Sequence, residues 1–109
     1  MLVKTYPLNS NERQLVGFEF LNLFLSSRGI ANYVRRVKGC EVLKTRSMFS
    51  AEEVHVRFSF AGKQFVVWEP FGDNSHLWVG PLDGQEVPPE TIGALQAEFE
   101  KTRRLGVGQ

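Results

Sequence analysis

The sequence predicts an α+β fold: an N-terminal helix, an antiparallel β-meander of four to five strands and a C-terminal helix, with both helices packed on one sheet face. Three observations indicate this order. A helix-capping pattern precedes a long apolar segment near the N-terminus. Strict alternation of apolar and polar residues marks a strand at 54–60. A Pro-Pro pair then precedes an apolar helical stripe near the C-terminus.

The composition is that of a single ordinary globular domain. The 109 residues include 42% hydrophobic and 23% charged residues, values typical of soluble domains. We expect one domain over 1–109, with 1–8 and 106–109 loosely ordered. Nine phenylalanines are many for so small a core. Part of the aromatic surface is therefore expected to meet another molecule.

The same sequence favours a cytoplasmic protein. Cys40 is the only cysteine, which excludes an intrachain disulfide. The first residues contain no apolar signal-peptide core, and no run approaches 18 apolar residues. We therefore expect no membrane span.

The first predicted helix covers about 10–27. Asn9 is a suitable N-cap, and Glu12 follows at the spacing of a capping box. The polar residues fall on a narrow stripe, which leaves an apolar arc wider than one sheet face needs. That arc fits either a helix deep in the domain or one that also packs against a second copy. Gly29 suits the C′ position that ends such a helix.

Residues 30–38 fit two different structures. Ile30, Tyr33 and Val34 have helical spacing. The order helix, glycine, β-branched residues instead favours a strand at about 31–37, which we prefer. A further strand is expected over 40–45.

The segment 54–60 is the clearest strand, because its apolar and polar residues alternate throughout. A tight turn at 61–63 returns the chain into a strand at 64–69. An even-numbered turn would place Phe58 and Phe65 on the core face and His55 on the opposite one.

A hairpin with a long polar loop at 70–75 follows, spanning 66–81. A six-residue loop would align Val67 with Trp78 on the core face. The second face would then carry Val66, Trp68, Leu77 and Val79. Turn length decides which face carries Trp68, since a shift of one residue reverses every side chain.

The last predicted helix begins at Pro88-Pro89-Glu90, with a proline near N1 and an acid near the positive end of the helix dipole. Its apolar stripe contains Ile92, Leu95 and Phe99.

These features favour a binding domain without chemistry of its own, acting on a second copy of itself or on another protein. A small apolar ligand stays open as well. The aromatic hairpin is the expected recognition element, because aromatic residues beside an arginine are typical of interface hot spots. The expected contact residues are Arg57, Trp68, Phe71, Asp73, Asn74, His76 and Trp78.

The first alternative is a small enzyme. Glu69, Asp73 and His76 surround one loop, and a carboxylate beside a histidine suits acid–base catalysis or part of a metal site. An Asx turn and an ordinary cross-strand pair would explain the same residues, and we expect neither metal nor cofactor. A reactive role for Cys40, with its pKa lowered by Lys38, is weaker still, since no histidine motif accompanies it.

The second alternative is nucleic-acid binding through 28–46. This stretch has six basic residues and one acid, whereas 69–100 has seven acids and no Lys or Arg. A pI of about 7.9 is low for a nucleic-acid-binding module. A partly paired, solvated face is the simpler interpretation of the basic stretch.

Overall fold

The computed structural model describes residues 5–9, 15–21, 27–45, 54–69, 76–82 and 85–102. These residues form an α+β domain of six strands and two helices. In chain order the elements are β1 (Thr5–Asn9), β2 (Leu15–Leu21), α1 (Ser27–Arg36), β3 (Cys40–Thr45), β4 (Val54–Phe60), β5 (Lys63–Trp68), β6 (His76–Pro81) and α2 (Pro89–Lys101).

The six strands form one antiparallel sheet in the order β1-β2-β6-β5-β4-β3. Strands β3 to β6 follow one another as a meander. The β1–β2 pair joins the same sheet because β2 lies beside β6. Strands β5 and β6 therefore occupy the centre of the sheet.

The predicted N-terminal helix over 10–27 is wrong, because its central part forms β2. Phe18 and Phe20 point into the core and are fully buried, while Glu19 lies between them on the opposite face. A side chain at position 17 would not fit, since a Cβ on Gly17 would lie 2.6 Å from the Val79 carbonyl oxygen. The segment thus follows the two-residue period of a strand.

This finding also overturns the predicted four-to-five-strand meander behind an N-terminal helix. The first helix of the described ranges is α1, which lies between β2 and β3 in the chain. The described residues form six strands in the sheet, not four or five. A wide apolar helical arc over 10–27 therefore no longer supports packing of this segment against a second copy of the chain.

The predicted strand at 31–37 is wrong as well, because these residues belong to α1 and the turn after it. Ile30, Tyr33 and Val34 recur at helical spacing and are at most 1% exposed. Gly29 lies in the first turn of α1 and ends no helix. Neither helix in the described ranges is long and apolar enough to cross a membrane.

The β4–β5 hairpin is confirmed, and of the two turn lengths that the sequence left open the structure has the even-numbered one, with two residues and not three over 61–63. Phe60 pairs with Lys63 across Ala61 and Gly62, and Phe58 pairs with Phe65 on the core face. Both turn residues have positive φ, 52° at Ala61 and 78° at Gly62, as in the type I′ turns that match strand twist.

The predicted register of the β5–β6 hairpin is wrong by one residue. Val67 pairs with Val79, and Trp68 pairs with Trp78. Leu77 and Val79 are therefore fully buried in the core, and both tryptophans lie on the other sheet face.

The core lies between the sheet and the two helices, which pack on the same face. The predicted C-terminal helix is confirmed as α2, and its stripe of Ile92, Leu95 and Phe99 is buried. The Phe99 ring packs against four other aromatic rings, those of Phe18, Phe20, Tyr33 and Phe58, at centroid distances of 5.1 to 6.1 Å.

Most of the described phenylalanines therefore fit in the core of one chain. Five of the six in the described ranges are fully buried, and Phe60 packs against the core from its edge. The expected aromatic surplus is thus not carried by these phenylalanines. Among the other described aromatic residues, those left with exposed surface are the two half-buried tryptophans and Tyr6, which is 42% exposed.

Candidate functional site

A β-bulge in β4 turns a histidine toward the helices. Val54 pairs with Trp68 and Val56 with Val67, so His55 is an extra residue between two neighbouring pairs. Its side chain is 1% exposed. The alternation in the sequence placed His55 on the opposite face, beside Arg57, and the bulge overturns that prediction. Bulges commonly redirect a side chain in this way near functional sites.

The redirected His55 lies between a serine and a glutamate. The Oγ of Ser27, at the start of α1, is 2.6 Å from His55 Nδ1. Glu69 Oε1, just beyond the end of β5, is 2.9 Å from His55 Nε2. Ser27 is 6% exposed and Glu69 is 9% exposed, so the three side chains form a cluster just beneath the surface.

The protonation pattern follows from the chemistry of the three groups. A carboxylate beside Nε2 favours a proton on that nitrogen in a neutral His55, and Glu69 Oε1 lies 2.9 Å away from it. Nδ1 is then an acceptor, and the Ser27 hydroxyl donates to it.

This arrangement contains the parts of a nucleophile–base pair. A hydroxyl lies within hydrogen-bond reach of a base, and a carboxylate adjoins the far side of that base, which is the general logic of serine catalytic triads. The first-turn N–H groups of α1 lie beside Ser27 and carry the positive end of the helix dipole.

The second notable surface is the sheet face opposite the helices, which we call the open face. Trp68 and Trp78 lie there half-buried, with their rings edge to face at 5.6 Å. Trp78 Nε1 donates a hydrogen bond of 2.8 Å to Glu19 on β2. The Trp68 ring lies over Gly80, where a Cβ would contact it at 3.4 Å.

A hollow adjoins the tryptophan pair on this face. Its volume is about 260 Å³, and it is lined by Val54, Val66, Trp68, Pro81 and Leu82. The hollow is predominantly apolar, and it extends the apolar surface around Trp68.

The predicted contact residues are only partly covered by the described ranges. Arg57 and both tryptophans lie on the open face, whereas Phe71, Asp73 and Asn74 fall outside the described residues. His76 is the first residue of β6, where its backbone pairs with Leu21, and its side chain also falls outside the description.

The predicted acid–base group of Glu69, Asp73 and His76 is replaced by a different set of contacts. Glu69 contacts His55, which no sequence pattern places near it. The β5–β6 register puts Trp78, and not Leu77, opposite Trp68, so His76 does not occupy the position directly across from Glu69. Asp73 falls outside the described residues.

Sequence reasoning missed Ser27 and His55 as partners of Glu69. His55 occupies a polar position of an alternating strand, where it reads as a surface residue. Ser27 stands in a segment assigned to the end of a different helix. An irregularity in the alternation would be the only local signal for the bulge, and 54–60 shows none.

The basic stretch 28–46 is divided between two sides of the domain. Arg28 and Arg35 are exposed on α1, and α1 packs on the sheet face opposite the open face. Lys44 pairs with Arg57 on the open face. Arg46 falls outside the described residues. This division weakens the case for one continuous phosphate-binding surface.

Cys40 has the opposite of a reactive environment. Burial first, and the Glu98 carboxylate second, raise the pKa of its thiol to about 12. Lys38 therefore does not produce the lowered pKa that a nucleophilic role requires. Within the described ranges, no group of three or more His, Cys, Asp or Glu side chains is arranged to hold a metal ion.

Comparison of the chain with protein-family models, curated proteins and solved structures finds no match. Function is therefore inferred from the geometry of the open face and of the Ser27–His55–Glu69 cluster.

Proposed function

We propose that this chain is a binding domain that acts as a homodimer, with the open face of the sheet as its contact surface. The observation that carries the proposal is the half-buried Trp68–Trp78 pair on the sheet face opposite the two described helices. Partly exposed tryptophans beside an arginine are typical anchors of protein interfaces, where they supply much of the binding energy.

The charges on this face support contact between two copies of the chain. The tryptophans lie on the two central strands, β5 and β6. Glu19 on β2 pairs with Trp78 on one side. Arg57 on β4 lies on the other side, opposite Val66, two residues along β5 from Trp68. The face is therefore acidic on one flank, apolar in the middle and basic on the other flank.

A two-fold axis along the central strands would make this face complementary to itself. Such an axis places β2 of one copy against β4 of the other. Glu19 of each chain then lies two residues along the strand from its partner's Arg57, roughly 7 Å that a long arginine side chain can span. The tryptophans of both copies then pack in the middle, and two sheets stacked face to face are separated by about 10 Å. Phe71, Asp73 and Asn74, together with His76 at the start of β6, stay predicted contributors.

The test measures oligomeric state by sedimentation velocity between about 1 and 100 μM, a range that covers moderate homodimer affinities. We expect the wild-type chain to form a dimer. Arg57→Glu and Glu19→Lys should each give a monomer, because each leaves like charges facing one another. An equimolar mixture of the two variants should restore a dimer, since each chain then supplies the charge that the other needs.

Arg35→Glu is the matched control, because it makes the same charge change on the exposed surface of α1. We expect it to leave the dimer intact. A wild-type chain that is monomeric over the whole range would refute the homodimer. A dimer that persists in both single variants would show that another surface is used.

Binding to a different protein is the competing use of the same face. The cytoplasmic location expected from the sequence stays part of the proposal. The nucleic-acid alternative has less support, because the basic residues lie on both sides of the sheet.

A further inference from the structure

We infer that Ser27 is an activated nucleophile, with His55 as its general base and Glu69 as the positioning residue, and that it attacks small carboxylic esters. The inference goes beyond the binding role and departs from the sequence-based expectation of a domain without chemistry. It rests on the two contacts at His55, 2.6 Å from Nδ1 to Ser27 Oγ and 2.9 Å from Nε2 to Glu69 Oε1.

The three residues come from elements far apart in sequence, and a specific feature of the fold positions each of them. Ser27 is the first residue of α1. His55 is turned inward by the bulge of β4, and Glu69 follows the last residue of β5 on the core side. Burying three polar side chains is costly unless they interact with one another, so the meeting of these three is a built arrangement.

The chemical step balances within this group. The Ser27 hydroxyl proton moves to His55 Nδ1 as Oγ forms a bond to the ester carbonyl carbon. The carbon–oxygen bond to the alcohol then breaks, and the alcohol leaves with that proton. A water molecule next gives a proton to Nδ1 as its oxygen forms a bond to the acyl carbon. The bond from that carbon to Oγ then breaks, Oγ takes the proton back from Nδ1, and the carboxylic acid leaves.

Two features of the fold support that step. The N-terminal end of α1 lies beside Ser27, where its positive dipole favours the negative charge that develops on the carbonyl oxygen. The Glu69 carboxylate near Nε2 favours the imidazolium form of His55. Here Nδ1 faces the serine and Nε2 faces the carboxylate, and the roles depend on geometry and not on which nitrogen is used.

The small exposure of the cluster limits the substrate. His55 is 1% exposed and Ser27 is 6% exposed, so a bulky ester has little access to the hydroxyl. The inference therefore specifies small acyl groups such as acetyl.

The test treats the full chain with a small fluorophosphonate and maps the adduct by mass spectrometry. We expect one adduct, on Ser27, and none in Ser27→Ala. Ser59 is the internal control, because it lies more exposed on the open face of the same strand as His55. Ser59→Ala should label like the wild type.

The variants at the other two positions separate their roles. His55→Gln should lower the labelling rate by about 100-fold, the usual contribution of a general base. Glu69→Gln should lower it less and move the midpoint of the pH–rate profile to lower pH, because loss of the negative charge disfavours the imidazolium. A purely structural Glu69 would leave that midpoint unchanged.

Because His55→Gln risks unfolding, the wild-type pH–rate profile gives an independent measurement. Labelling should slow as the pH falls and Nδ1 becomes protonated. With p-nitrophenyl acetate, we expect a burst of about one nitrophenolate per chain, as an acyl-serine mechanism requires. A folded wild-type chain that gives no adduct, or an adduct that persists in Ser27→Ala, would overturn the inference.

Discussion

Tyr33 on α1 contacts Phe99, near the end of α2, through both its hydroxyl and its ring. The Tyr33 hydroxyl donates to the Phe99 carbonyl oxygen at 2.5 Å, and the two rings meet edge to face at 5.6 Å. The Thr102 carbonyl oxygen lies 2.9 Å from the same hydroxyl. The Phe99 carbonyl oxygen also accepts a hydrogen bond of 3.1 Å from the Thr102 N–H at the C-cap. The Tyr33 hydroxyl therefore adds a side-chain donor to the last turn of α2, where carbonyls commonly lack helical partners.

Removal of this hydroxyl should destabilise the domain. In Tyr33→Phe the ring contact with Phe99 is kept, and the Phe99 carbonyl oxygen keeps its hydrogen bond from the Thr102 N–H. The two carbonyl oxygens lose the one proton that the Tyr33 hydroxyl shares between them. We expect the free energy of unfolding to fall by about 0.5–1.5 kcal/mol, the net contribution of a typical hydrogen bond. Urea denaturation followed by circular dichroism measures the change. A loss below about 0.3 kcal/mol would show that water replaces the hydroxyl at little cost.

The β4–β5 turn offers a stabilising substitution. Ala61 has a φ of 52°, a conformation that disfavours a residue with a Cβ, whereas asparagine tolerates it and prefers this turn position. We expect Ala61→Asn to raise the free energy of unfolding by about 0.5–1 kcal/mol.

Thermal and urea denaturation check this prediction, with Gly62→Ala as the opposite control. Gly62 has a φ of 78° and open space around its Cα, so an alanine there adds backbone strain without a steric clash. It should destabilise the domain. Equal stability of Ala61→Asn and the wild type would contradict a type I′ turn at this hairpin.

The Cys40 thiol should react slowly in the folded chain. Its pKa is raised to about 12, first by burial and then by Glu98, against about 8.5 for a free thiol. At pH 8 the folded chain therefore holds on the order of 1,000-fold less thiolate than the unfolded chain, because each pKa unit changes that fraction tenfold.

Reaction with Ellman's reagent in buffer and in urea measures this difference. Between pH 8 and 11 the folded-state rate should keep rising about tenfold per pH unit, because the thiol titrates only near pH 12. Glu98→Gln should accelerate the reaction modestly, since it removes the smaller of the two causes. A folded-state rate that levels off near pH 9 would contradict the raised pKa.

Local sequence patterns were sufficient to predict those elements whose conformation depends on residues close together in the chain. The alternation at 54–60, the tight reversal after it and the Pro-Pro start of α2 all depend on neighbours in the chain, and the structure has a strand, a hairpin turn and a helix there. The sequence left the number of turn residues open. For 15–21 local patterns failed, because an almost wholly apolar segment satisfies a helical and a strand template alike. Pairing of β2 with β6 decided the outcome.

The candidate sites show the same division. The tryptophans, Arg57 and Glu69 were singled out from the sequence, since their types and positions near one hairpin were informative. The one-residue register of β5 and β6 was not, because it depends on the pairing of whole strands, and it moved Trp78 out of the core and onto the open face. A loop length alone leaves that choice open.

Local conformational preference and periodic burial made the α+β class, the C-terminal helix and the alternating strands predictable from the sequence. The strand at 15–21, the placement of both tryptophans on one sheet face and the contact between Ser27, His55 and Glu69 are evident only in the folded chain. These three outcomes depend on contacts between residues distant in the chain, including a bulge that leaves no mark on the local pattern.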